Sequence, residues 1–269
     1  MRVTYNLDAE TQEIRWYRST SKNGVKYAAV LWDPTADDDQ PAHQMGFIKY
    51  DRKYQRLTIC NFDAKLEKKH FGIGYSSKRD SPDLAGCHGE GFKVAAVALM
   101  ALGHKVKILT NGSSCIFGHD PRFAVSTFVN LYPNKRGKTR GTPVYDPKKP
   151  SSGRFVHDTH EDTTVIVEKV TEEHFESLVQ QCLGLHDPQP KDILRTAEGQ
   201  IIFDPAYSGK MFINGLRVEG YKPAGHPYRF CYNILGSKIG RDRRHADDPE
   251  EEQQKAIRSI AYAFRIGDL

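Results

Sequence analysis

Three observations predict an α+β fold in two parts. Strand-like runs alternate with turns through the first 60 residues and return at Lys105. Three closely spaced glycines, Gly86, Gly89 and Gly91, run straight into a helix that carries no charge after Lys93. From about Lys169 the pattern changes to helix, strand hairpin and helix. At 269 residues the chain is one large or two ordinary domains, long enough to bury a core. Hydrophobic content is 38%, and no apolar run approaches the roughly 20 residues of a membrane span, so no membrane association is expected. The stretch MRVTYNLDAETQ lacks the apolar core of a secretory signal, and an intracellular location, cytoplasm or nucleus, is expected. Cys60, Cys87, Cys115, Cys182 and Cys231 are odd in number and contain no C-x-x-C pair. That argues against a disulfide framework or a zinc site, and for reduced, mostly buried thiols.

The elements follow in order. EIRWYRS and VKYAAVLWD read as strands, DPTADDDQPAHQ as an acidic loop, and MGFIKYDRKYQRLTIC as two strands joined by a turn at DRKYQ. After the glycines, Phe92 to Leu102 is apolar nearly all round, which predicts a helix under a sheet and sheltered from water, with Gly103 as its stop. Strands are expected at Lys105 to Thr110, Ser114 to Phe117, Arg122 to Leu131 and Thr163 to Val170. Before the last of these lies PNKRGKTRGTPVYDPKKPSSGRF, whose composition predicts a long mobile loop. The second part opens on TEEHFESLVQQCLGL, a helix with Thr171 as N-cap and two glutamates in its first turn. Strands at Gln200 to Phe203 and Lys210 to Ile213 precede Asn214-Gly215, a hairpin signal before LRVEG. The final DDPEEEQQKAIRSIAYAFRI places its acids first and Arg265 last, as a helix dipole prefers.

The glycines matter because they have no Cβ. The backbone there can turn tightly and bring its N–H groups close to an anion, at the positive end of the following helix dipole. This suits phosphate, although a glycine turn before a helix is common in a chain with 22 glycines. The surrounding words are ordered: Asn61-Phe62-Asp63-Ala64-Lys65-Leu66, then Ser76-Ser77-Lys78, Asp83-Leu84, and Gly86-Cys87-His88-Gly89-Glu90-Gly91-Phe92-Lys93, followed by the apolar helix and a strand. In that order the segment resembles the ATP-binding half of the gyrase, heat-shock chaperone, histidine kinase and mismatch-repair ATPases, the GHKL superfamily. The pattern is most similar to mismatch-repair members and to microrchidia-type members, which share the glycine, phenylalanine and lysine matched by Gly91-Phe92-Lys93. The motif-bearing resemblance runs from about Leu57 to Lys169.

The resemblance implies a Bergerat-type α/β sandwich over residues 1–168, a mixed sheet with helices on one face. A smaller α/β transducer-like domain, of the kind called ribosomal S5 domain 2-like, would occupy 169–269. It implies that ATP is bound, its phosphates held by the amides of Gly86, Gly89, Glu90, Gly91 and Phe92, with charge neutralised by Lys78 or Lys93. Lys93 reads equally as a solvated first-turn lysine. Ser76, Ser77 and Lys78 match the family's lid over bound nucleotide, or form an ordinary loop. Asn61 and Thr163 stand where the family holds adenine; Thr163 also reads as a plain β-branched strand residue. Arg241 and Arg243, with Arg244, correspond to a basic group that senses the terminal phosphate, or else to a surface partner of the acidic Asp247 to Glu252 run.

Two departures bear on catalysis. The family's D-x-G-x-G box aligns with Asn61 to Lys65, where an amide replaces the carboxylate and neither glycine is kept; Asn61 can still accept through its carbonyl. The family also has an upstream helix with a glutamate that activates water and an asparagine that holds Mg²⁺, and no such helix is predicted before Leu57. Either an upstream segment supplies it or the protein is a pseudoenzyme. A positioned general base contributes roughly 10²- to 10⁴-fold, so its loss leaves nucleotide binding with slow or no turnover. Glu90 is the nearest carboxylate to a terminal phosphate and also reads as a cap of its own helix.

Two function classes follow. One is a nucleotide-dependent conformational ATPase, with a protein client and dimerisation open. The other is a catalytically inactive interaction module, with nucleic acid as one partner. The basic stretch holding Lys135, Arg136, Lys138, Arg140, Lys148, Lys149 and Arg154 is its candidate contact, or simply a solvated charged loop. His157 to Asp162 has metal-like composition, but its ligands crowd a turn and predict a solvated loop.

Overall fold

The computed structural model describes residues 13–32, 40–71, 91–119, 127–135, 143–186, 192–218, 228–236 and 248–267. The fold is α+β, and the chain divides into two compact units, Met1–Phe175 and Glu176–Leu269.

The first unit is built on one large sheet. Strands β1 (Glu13–Ser21), β2 (Gly24–Trp32), β3 (Ala42–Asp51) and β4 (Arg56–Asn61) follow one another in space, as do β5 (Lys105–Thr110), β6 (Ser113–His119) and β7 (Thr127–Pro133). The two-residue β8 (Val144–Tyr145) adds to β3, and β9 (Thr163–Glu168) inserts between β4 and β5. The order is β1-β2-β3-β4-β9-β5-β6-β7. The resemblance implies a mixed sheet, yet every described pairing here is antiparallel, because neighbours are joined by hairpins or by β9 running against both its partners. Close approach sets one position: a Cβ on Gly46 would stand 2.2 Å from the Cys60 carbonyl oxygen, so only glycine lets β3 meet the end of β4.

Helix α1 (Gly91–Ala101) packs on one face of β5 and β6, where Ala96, Val106, Ile108, Cys115 and Phe117 form a buried cluster with Leu66, Phe71 and Phe92 at its margin. It is not sheltered all round. Val94 is 62% exposed and Leu102, in the turn after the helix, 71%, because a sheet can cover only one side of a helix and no other described element lies over the outer side. Helix α2 (Glu172–Val179) is capped as expected, the His174 N–H donating to Thr171 Oγ1 at 3.2 Å, and its Phe175 stacks on Tyr50 at 4.5 Å.

Part of the stretch expected to be a mobile loop is ordered. Tyr145 is buried against Ala28 and Val30, and Phe155 packs on Phe47, with ring centroids 5.8 Å apart. These aromatics cover the sheet face opposite α1, which is why the loop composition misleads: its few large side chains find a core far away in sequence.

The second unit has a five-stranded sheet, β10 (Ile193–Thr196), β11 (Gly199–Ile202), β14 (Cys231–Ile234), β12 (Met211–Ile213) and β13 (Leu216–Val218) in that order. β12 and β14 are its parallel pair. Asn214 and Gly215 take φ of 50° and 80° and close the β12–β13 hairpin as a two-residue turn. Helix α3 (Pro249–Ile266) begins at Asp248, whose carboxylate accepts from the N–H groups of Glu250 and Glu251, and ends on a left-handed Gly267. It lays Ala256, Ser259 and Ala263 against the sheet.

Among the described residues no helix is long and apolar enough to cross a membrane.

Candidate functional site

The site is built where β4 ends, β9 begins and β5 ends. Asn61 pairs directly with Thr163 across the β4–β9 ladder, so their side chains share one sheet face. Val165 shares it by alternation and packs against the α1 cluster, so this is the face that carries α1. α1 returns to β5 through the short turn at Leu102 to His104, so it runs antiparallel to that strand and its N-terminal Gly91 overlies the same end of the sheet. Consistent with this, Phe92 meets Phe71 edge-on at 5.8 Å, and Leu66 closes the same cluster.

A chain of hydrogen bonds fixes the rim. The Leu66 N–H donates to Thr110 Oγ1 at 2.8 Å, Thr110 and Thr163 hydroxyls stand 2.7 Å apart, and the Thr163 hydroxyl donates to the Ala64 carbonyl at 2.7 Å. Since the Thr163 proton goes to Ala64, Thr110 must be the donor to Thr163. The Thr163 oxygen then has one lone pair left for a ligand N–H. Asn61 is half-buried, and its amide makes no hydrogen bond among the described residues. Asp63, which the resemblance sets at the first glycine of the D-x-G-x-G box, has φ of 48°. This is a left-handed turn that glycine takes freely and that aspartate, unlike bulkier residues, tolerates.

Beneath this rim lies a buried polar knot. Asp162, fully buried, accepts from the N–H groups of Asp158 at 2.6 Å and Asp63 at 3.3 Å, and pairs with the Arg154 guanidinium. That guanidinium also sits over the Phe62 ring, 4.1 Å from its centroid. Gln44 clamps the Arg154 backbone, accepting its N–H at 2.8 Å and donating to its carbonyl at 3.0 Å. Burial pushes the Asp162 carboxyl above its ordinary value, against the opposing pull of the Asp158 N–H and Arg154. The Cys60 thiol, accepting from Thr164 at 3.2 Å, is pushed up to about 12, chiefly by burial, and is no nucleophile.

Several expectations are corrected here. Arg154 is an internal ion-pair partner, not a loop cation facing solvent, because Asp162 would otherwise be a buried charge without a partner. In the His157 to Asp162 run, residues 157–161 form a half-exposed turn, but the run folds back on Asp162, which is buried rather than solvated; no metal-ligating group of three residues occurs among the described residues. Of the sequence-predicted site residues, Asn61, Thr163, Gly91 and Phe92 gather at one end of the sheet, and Lys93 lies over the Phe92 ring at 5.5 Å from its centroid. Ser76, Ser77, Lys78, Gly86, Gly89, Glu90, Arg241 and Arg243 lie outside the described residues.

Sequence reasoning missed Thr110, Gln44 and the Arg154–Asp162 pair. Thr110 carried a faint signal, a threonine at a strand end before Asn111-Gly112; Gln44 carried none.

No known family model, no curated protein and no solved structure matches this chain.

Proposed function

We propose that the first unit binds ATP, with adenine at Asn61 and Thr163 and the phosphates at the N-terminal end of α1. The protein would act as a nucleotide-responsive conformational switch of the GHKL type with slow or no turnover. The observation that supports this best is the convergence of Asn61, Thr163 and the start of α1 on one end of one sheet face. The rim offers the Asn61 amide, which has no hydrogen bond among the described residues, and one hydroxyl lone pair to a purine edge, while helix N–H groups and their dipole attract phosphate. The left-handed Asp63 would preserve the box's turn without its glycine. Mg²⁺ would enter with the nucleotide, its protein ligand unassigned.

A second reading, an inactive interaction module on the same frame, draws on one observation: the Thr163 hydroxyl proton is already committed to Ala64, so base recognition has one donor fewer.

Calorimetry and thermal melts with ATP and Mg²⁺ separate the readings. Saturating ATP at about 100 times Kd adds about 2.7 kcal/mol, a rise of about 5–11 °C in a unit of this size. GTP and tripolyphosphate should give less, and Asn61→Ala should erase the difference between ATP and GTP. No heat and no shift at millimolar ATP removes the nucleotide reading.

A further inference from the structure

Among the described residues, the sheet face opposite α1 is covered in part. The 143–162 segment lies on that part, through Tyr145 and Phe155. Beside it runs a row of side chains whose membership follows from the pairing register: Lys26 opposite Lys49, Lys49 opposite Thr58, Thr58 opposite Ile166, Ile166 opposite Lys107, and Lys107 opposite Ile116; Thr58 at its centre is buried and the three lysines are half-exposed around it. Directly opposed residues in antiparallel strands share a face. Alternation agrees, because Lys107 lies between Val106 and Ile108, and Ile116 between Cys115 and Phe117, all four of which point to α1.

We propose that this lysine row binds a single-stranded nucleic acid through its phosphates. Three lysines stand in the row and no carboxylate does. The adjoining row, Asp51, Arg56, Glu168 and Lys105, carries two acids and two bases and so adds no net charge. Among the described residues Lys49 and Lys107 make no hydrogen bond or ion pair, and Lys26 lies over the Phe155 ring, 5.0 Å from its centroid, at the border of the covered part.

Strands about 4.8 Å apart put Lys26 beside Lys49 and Lys107 about 14 Å beyond it, so the charges track a strand laid across the sheet. Apolar surface lies in the same place: Ile116 is 40% exposed, and Tyr132, opposite Ser114 on this face, is 51% exposed and offers a ring for base stacking. A duplex offers no unstacked base to that ring. An acidic polypeptide would meet the same lysines, but it would leave Tyr132 without a stacking role. These are not the loop cations that the sequence singles out, of which Arg154 is already held by Asp162.

The test is fluorescence anisotropy of labelled 12-mer dT and rU with the full chain, in 50 to 200 mM KCl. Each phosphate contact contributes about 0.7 to the slope of log K against log salt for single strands. The triple variant Lys26→Gln, Lys49→Gln and Lys107→Gln should lower that slope by about 2 and weaken binding at least tenfold at 100 mM salt. Tyr132→Ala should weaken binding with the slope unchanged, and Lys148→Gln with Lys149→Gln should change neither. Thermal melts confirm that each variant is folded. The proposal is overturned by no binding at 100 µM protein, or by a slope that the triple leaves in place. It is equally overturned if a polyglutamate peptide binds as tightly with the same sensitivity to the triple, which would make the face a contact for acidic proteins.

Discussion

Replacing Asp162 by alanine tests the polar knot under the site. The change removes the carboxylate paired with Arg154, whose side chain is 13% exposed, and strips an acceptor from the N–H groups of Asp63 and Asp158. Removing one partner of a buried pair costs about 3–5 kcal/mol, so a loss of about 4 kcal/mol is expected, or about 8–16 °C in the melt of a unit this size. Arg154→Met should cost less. It leaves Asp162 with both backbone donors, and a carboxyl already pushed upward by burial can take up a proton. The double variant should therefore lose at least about 1.5 kcal/mol less than the sum of the two singles, since directly bonded partners couple. Urea unfolding of the four proteins gives the cycle. Asp162→Ala within 1 kcal/mol of the parent, or strict additivity, would refute the reasoning.

Further outcomes can be checked alongside. Because its folded-state value is raised, Asp162 adds stability in full below its unfolded value and loses it as pH rises through the folded one. The deficit of Asp162→Asn against the parent, read from urea midpoints, should therefore be larger at pH 4 than at pH 7. Gly46→Ala drives a methyl to 2.2 Å from the Cys60 carbonyl and should cost about 1–3 kcal/mol or more while displacing Asn61; a melt within 1 °C of the parent would contradict the close approach. Asp63→Gly should be tolerated within about 1 kcal/mol, whereas Asp63→Val should cost clearly more, since a β-branched side chain resists the left-handed turn. The thiols of Cys60 and Cys231 are pushed up to about 12 and that of Cys115 to about 11, so native-state alkylation at pH 8 should spare all three.

What the sequence reveals is what local chemistry decides. β5 spans Lys105–Thr110 as its strand-like run predicts, the Asn214-Gly215 turn takes the left-handed angles those two residues favour, and α3 runs from its aspartate cap to its glycine stop. Asn61 and Thr163 are candidate site residues only through the resemblance, although their pairing is a fact of the sheet. The Arg154–Asp162 pair, the Gln44 clamp and the burial of Tyr145 were not legible, because each depends on a partner brought near by the whole sheet. Composition read that stretch as a loop since its few large residues are spread thinly among lysines and prolines. The opposite error befell α1, where an apolar sequence fits a helix with one uncovered side as well as a buried one.

The position of β9 has a consequence for how the chain reaches this state. It is the strand that joins the β1–β4 and β5–β7 halves, and contacts at its start bridge residues 99 positions apart, Asp63 and Asp162. Until it is made, β4 and β5 each present an unpaired edge, and the two halves have no ladder in common. Closing so long a loop delays the last step of sheet assembly. During synthesis the nascent protein therefore carries two open edges able to pair with a neighbouring chain, and β9 is the element whose delay a chaperone would have to cover.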